Sequence, residues 1–91
     1  MIYCIKYTNK FKKDVKRCHR RGRDLNFLRE AVKILSQTGT LPPKYKAHRL
    51  AGKYQNRMEC HIEPDWLLVW MQNDNELVLL FTDTGTHSDL F

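Results

Sequence analysis

The chain has 91 residues and a net charge of +6, the length of one domain (1–91) with a modest core. No apolar run nears the ~18–20 residues of a membrane span, and the opening MIYCIKYTNKFKK lacks the apolar stretch and small-residue cleavage site of a secretory leader. Three cysteines (Cys4, Cys18, Cys60), an odd number with no CxxC, argue against a disulfide framework or a zinc knuckle and for a reducing cytoplasm.

IYCIKY (2–7) alternates and is rich in β-formers, so it reads as a strand. Asn9 then caps a helix from Lys10 to Arg21, with Phe11, Val15 and Cys18 at i, i+4, i+7 on its buried face and Gly22 as its stop. Asp24 caps a second helix, Leu25 to Thr38, whose stripe is Leu25, Leu28, Val32 and Leu35; Gly39 ends it. LPPKYK (41–46) reads as an extended connector, because each proline biases the residue before it away from helix. AHRL is a short strand and AGKYQN a turn region. RMECHI (57–62) alternates, placing Met58, Cys60 and Ile62 on one face and Arg57, Glu59 and His61 on the other. After the EPD turn, WLLVWMQ (66–72) is apolar almost throughout and belongs in the middle of a sheet. NDN turns the chain into a second central strand, ELVLLFTDT (76–84), and Gly85 breaks it before a polar tail, THSDLF. The order β-α-α-β-β-β-β predicts an α+β fold: an antiparallel sheet with both N-terminal helices on one face and the other face free for a site. Cys4 and Cys18 read as small buried side chains.

Charge is unevenly spread. Residues 1–57 carry all 16 Lys and Arg and only three acids (Asp14, Asp24, Glu30), a balance of +13; residues 58–91 carry no Lys or Arg and seven acids, a balance of −7. The segment 9–23 alone holds eight Lys and Arg against Asp14. That basic face is either a solvated surface or a platform for phosphate-rich partners. His48, His61, Asp65 and His87 all fall at strand ends or on the non-helical face, where they can converge. Imidazoles with a carboxylate suit acid–base catalysis near neutral pH, and cleavage of RNA through its own 2′-hydroxyl needs no metal or other cofactor. Cys60 and His61 point to opposite faces of one strand, which disfavours zinc. Trp70 reads as core, and Trp66 as either core or a surface on which a base stacks.

LPPKYKAHRLAGKY, ECHIEPDWLLVW and the terminal TGTHSDLF also resemble the YafQ branch of the RelE-type bacterial toxins, along nearly the whole chain. The resemblance implies a RelE-like α/β fold and a ribosome-dependent mRNA endoribonuclease in the bacterial cytoplasm. It also implies a cognate antitoxin that wraps and silences the toxin. On the matching motifs it implies catalytic roles for His48, His61, Asp65 and His87. Trp66 and Phe91 match positions that shape or contact the RNA site. Two departures stand out: Asp83 and Met58 occupy positions where the family commonly has arginine. Lys46, Arg49, Lys53 and Arg57 flank the site in sequence and are the substitutes for that charge, with Arg57 or Arg49 as the phosphate clamp. The antitoxin segment is expected to be acidic where it crosses the 9–23 helix or residues 44–57. The alternatives are a non-catalytic member that occupies RNA or the ribosome without cutting, and a structural adaptor with scattered histidines.

Overall fold

A computed structural model describes residues 2–91. In chain order the elements are β1 (Cys4–Tyr7), α1 (Asn9–Arg20), α2 (Leu25–Thr38), β2 (His48–Arg49), β3 (Met58–Glu63), β4 (Trp66–Asn73), β5 (Val78–Gly85) and α3 (His87–Leu90). The strands form one sheet in the order β1-β5-β4-β3-β2. The four later strands pair antiparallel, as consecutive hairpins must. β1 lies parallel to β5, so the sheet is mixed. That pairing joins the two ends of the chain, and a reading of neighbouring segments does not contain it.

Local chemistry explains most boundaries. The cap of α1 is Thr8, one residue before the expected Asn9; its hydroxyl accepts from the Phe11 N–H at 3.0 Å. Asp24 caps α2 as expected, accepting from Asn26 N–H at 2.9 Å. Gly39 closes α2 in the left-handed region (φ 73°), which glycine enters at no steric cost. The LPPKYK connector is not wholly extended: Pro43–Tyr45 makes one 3-10 turn that buries Tyr45. Cys18 and Cys60 are buried, but Cys4 lies on the outermost strand and is exposed, contrary to the sequence reading.

The core lies between the two long helices and one face of the sheet. Trp66, Leu68 and Trp70 of β4 and Leu79 and Phe81 of β5 meet Phe11 and Cys18 of α1 and Leu28, Ala31 and Leu35 of α2. Each leucine or phenylalanine among them contributes roughly 1.5–3 kcal/mol on burial. Two bulges tune which residues face which way. The β4–β5 register jumps from Val69↔Asp83 to Trp70↔Phe81, leaving Thr82 extra. Phe81 and Thr84, three apart, therefore both meet tryptophans: the Phe81 and Trp70 rings lie 6.4 Å apart, and Trp66 Nε1 donates to Thr84 Oγ1 at 2.9 Å. A second shift, between His61 and Glu63, re-aims the chain just before the EPD corner. Asp14, the lone acid of 9–23, is buried on α1; it accepts from Thr84 N–H at 3.2 Å and Lys10 Nζ at 2.8 Å, pinning α1 to β5.

Candidate active site

The EPD corner and α3 bring three of the expected residues together. His87 Nδ1 lies 3.4 Å from Asp65 Oδ1, the His87 N–H points at the same oxygen at 3.4 Å, and the His61 and His87 rings are 6.1 Å apart. His87 Nε2 has no partner among the described residues, so one ring nitrogen is oriented and the other is open. His48 stands farther along the same face. It pairs across the strands with Glu59, two residues before His61; its Nε2 lies 3.3 Å from Glu59 Oε1 and its Nδ1 3.0 Å from the Lys46 carbonyl. Glu59 is nearly fully buried and carries a carboxyl group into the cluster. Sequence reasoning put it on the right face and gave it no role; a carboxylate two residues before His61 with the same strand parity was the available signal.

What fixes His87 is a short helix, α3, where the sequence reading had only a polar tail. Thr86 and Asp89 form a reciprocal cap: Thr86 Oγ1 accepts from the Asp89 N–H at 3.1 Å and Asp89 Oδ2 from the Thr86 N–H at 2.9 Å. Arg21, at the C-terminal cap of α1, donates to Asp89 Oδ2 at 2.7 Å, and Arg17 donates to the Thr84 carbonyl at 3.2 Å. Gly85 sits at φ 154°, and a Cβ there would come within 2.8 Å of the Asp89 carboxylate and 2.9 Å of the Arg17 guanidinium, so this clamp needs glycine. The Arg21 hydrogen bond, with those from Thr86, holds the Asp89 carboxyl down at about 2, below its ordinary 3.8. A depressed carboxylate stabilises the fold above its ordinary range and loses that contribution as pH falls through its folded value. Asp89→Asn is therefore expected to lower stability by about 1–2 kcal/mol at neutral pH, discounted because Arg21 is half-exposed. In thermal melts the gap from the parent stays constant down to about pH 5 and closes between about pH 4 and 2.

Beside α3 lies a cleft of about 390 Å³, lined among others by Lys10, Tyr54, Arg57, Asp83 and Phe91. The Phe91 ring docks edge-on against Tyr54, centroids 5.5 Å apart, so the last residue is held on the cleft. Arg57 lies over the Tyr54 ring and 3.7 Å from Asp83 Oδ2; Lys10 Nζ lies 2.8 Å from Asp83 Oδ1. Asp83 thus stands between two cations, and Lys10, which the sequence did not single out, is one of them. Met58 packs against the core on the helix side, so it cannot supply what Arg57 does. Lys53 lies over Tyr54 at 5.2 Å, and Lys46 occupies an exposed left-handed turn (φ 51°) next to His48.

Two expected RNA contacts lie away from the cleft. Trp66 is fully buried, its ring under Arg23 and its Nε1 bound to Thr84, so it offers no face to a base. The eight-residue strand carries it into the core with Trp70, four positions on. Arg49 pairs with Met58, one step out of phase with His48, and lines hollows with Gln72 and Asp74 and not the cleft. Cys60 faces away from His61, and burial pushes its thiol up to about 12, which removes it as a nucleophile. Among the described residues, no three His, Cys, Asp or Glu side chains are gathered as a metal site requires.

The basic helix is partly self-satisfied. Lys10, Arg17, Arg21 and Arg23 make ion pairs within the chain. Lys12 and Lys16 instead rim an apolar groove of about 530 Å³ between α1 and α2, with Arg29 and Lys33 opposite.

Over residues 3–91 the sequence matches the family described as the bacterial toxin of type II toxin–antitoxin systems, YafQ. The chain belongs to that family. It is 39% identical over 88 residues to the mRNA interferase toxin YafQ of Escherichia coli K12, covering 96% of this chain and 94% of that protein. The structure superimposes on the crystal structure of the E. coli DinJ–YafQ toxin–antitoxin complex with a TM-score of 0.89 at 37% identity, covering 100% of this chain and 99% of that one. It matches a metal-bound toxin from Helicobacter pylori with a TM-score of 0.88 at 40% identity over the full length of both chains. The mixed sheet under two helices is therefore the fold of the YafQ toxins.

Proposed function

We propose that this chain is a metal-independent endoribonuclease of a type II toxin–antitoxin system, cutting mRNA on the ribosome in the bacterial cytoplasm and silenced by a cognate antitoxin. The observation that carries the reading is the convergence of His61, Asp65 and His87 beside a cleft lined by Arg57, Lys10 and two aromatic rings. Asp65 orients His87 through Nδ1, leaving Nε2 to protonate the departing 5′-oxygen. His61 takes the proton of the 2′-hydroxyl; His48, whose two ring nitrogens face the Lys46 carbonyl and the Glu59 carboxylate, serves as a phosphate contact and not as the base. The alkoxide attacks the adjacent phosphorus, the P–O5′ bond breaks, and the products are a 2′,3′-cyclic phosphate and a 5′-hydroxyl. Cleavage of mRNA on translating ribosomes with excess chelator, and analysis of the ends, tests this. Cyclic phosphate ends with chelator present are the expected result. Cleavage abolished by chelator and restored by a metal ion would overturn metal independence.

Arg57 and Lys10 carry the positive charge that steadies the phosphate, in the cleft where Asp83 replaces the family arginine. The double replacement Lys10→Gln, Arg57→Gln is expected to slow cleavage by about 10²-fold, as loss of a transition-state charge partner does in other enzymes. Unchanged rates would remove both from the site. Asp83 is also the specific observation favouring the second reading, a protein that binds RNA without cutting it. Retained ribosome binding with no cleavage by the parent would establish that alternative.

The partner is an antitoxin whose acidic segment lies on the basic face. The apolar groove between α1 and α2, rimmed by Lys12, Lys16, Arg29 and Lys33, fits an amphipathic acidic segment. Its affinity is expected to fall as salt rises from low to physiological strength, and to fall further with Lys12→Glu, Lys16→Glu. A salt-insensitive complex would count against it.

A further inference from the structure

The histidine cluster sits between two hollows, one of them the cleft at Phe91. On the other side of His61 lies a smaller pocket of about 280 Å³, lined by Phe27 and Glu30 of α2, Lys44 and Tyr45 of the connector turn, and His61, Ile62 and Glu63 of β3. It forms because β2 is only two residues long: it covers Met58 and Glu59 and leaves β3 from Cys60 onward without a strand partner on that side. Into the gap α2 brings Phe27, a large apolar ring that is 47% exposed. An aromatic left open beside a polar cluster is the feature that binds single-stranded bases by stacking. Glu63 supplies the polar edge. One of its oxygens accepts from Arg23 at 3.2 Å, which holds the side chain in place, and among the described residues the other has no partner.

We infer that this pocket is a nucleobase subsite: the base next to the scissile phosphate stacks on Phe27 and presents an amino group to the open oxygen of Glu63. The inference rests on the endoribonuclease reading above and adds a residue that sets specificity. The volume suits one base, since pockets for larger ligands run ~300–1,000 Å³. A carboxylate accepts hydrogen bonds and donates none, so the subsite favours adenine, cytosine or guanine, which each carry an exocyclic amino group, over uracil, which has none and offers only an N3–H flanked by two repelling carbonyl oxygens. His61 lines this pocket and its ring lies 6.1 Å from that of His87, so a base stacked here belongs to a nucleotide flanking the scissile phosphate.

The test is a cycle of cleavage rates for the parent and Phe27→Ala on mRNA carrying either a normal base or an abasic residue at each position flanking the cut. At one flanking position the abasic residue is expected to slow the parent about 10-fold. Phe27→Ala is expected to be about 10-fold slow on the normal substrate and no slower on the abasic one. Phe27→Tyr, which keeps the stacking face, should retain the parental rate, and Glu63→Gln should lose the bias against uracil. Effects that multiply independently at both positions would overturn the subsite while leaving the endoribonuclease reading intact. A parent protein that cleaves nothing would overturn both.

Discussion

Replacement of His87 by alanine is expected to lower mRNA cleavage roughly 10²–10⁴-fold, the range for losing a positioned general acid. The same variant should melt at the parental temperature. The imidazole is 59% exposed, and the turn that carries it is held by the Thr86–Asp89 cap and the Arg21 clamp, neither of which uses the ring. The pH–rate curve separates the acid from a merely structural residue. Loss of His87 should flatten the limb on which activity falls as pH rises. A bell-shaped curve that survives His87→Ala unchanged would transfer the acid role to His61 or His48. Asp65→Asn provides the companion measurement: it keeps the shape of the corner but weakens the group that orients Nδ1, so its loss should be smaller than that of His87→Ala.

The largest effect on stability is expected at Trp66. The side chain is fully buried beneath Arg23, so Trp66→Ala should cost about 3–5 kcal/mol. In a domain of this size that lowers Tm by at least ~12 °C. Trp66→Phe keeps most of the packing and loses the Nε1–Thr84 bond, at a cost of about 1–2 kcal/mol. Its cleavage rate, measured well below its Tm, should equal the parent's. A folded Trp66→Phe that binds RNA poorly would return the indole to the substrate interface and contradict its burial.

Much of the fold was legible because it is local. The Asp24 cap, the Gly39 stop, the stripe Leu25–Leu28–Val32–Leu35 and the apolar run of β4 each depend on residues within a few positions of one another. The candidate site was legible in outline for a similar reason. Strand parity puts Glu59 and His61 on one face, and the proline corner delivers Asp65 beside them. What escaped was decided by contacts far apart in sequence. Lys10 reaches Asp83 across more than seventy positions, and Arg21 reaches Asp89 across almost as many. No periodicity encodes such pairs. Trp66 illustrates the limit differently. Its parity was known, but whether that face was core or cleft at the strand's first residue depended on where α1 and Arg23 came to lie.

By itself, then, the sequence determined the five strands and the two long helices, the faces of the inner strands, the capping of α2 and the residues able to do acid–base chemistry, since backbone propensity and side-chain alternation act over short spans. Only the tertiary structure decided that β1 closes the sheet parallel to β5, that Arg17 and Arg21 clamp the turn bearing His87, and that Asp83 lies between Lys10 and Arg57. The physical reason is that a buried charge or an unpaired strand edge is satisfied by whatever partner the completed fold brings near, and that partner is chosen by packing of the whole chain.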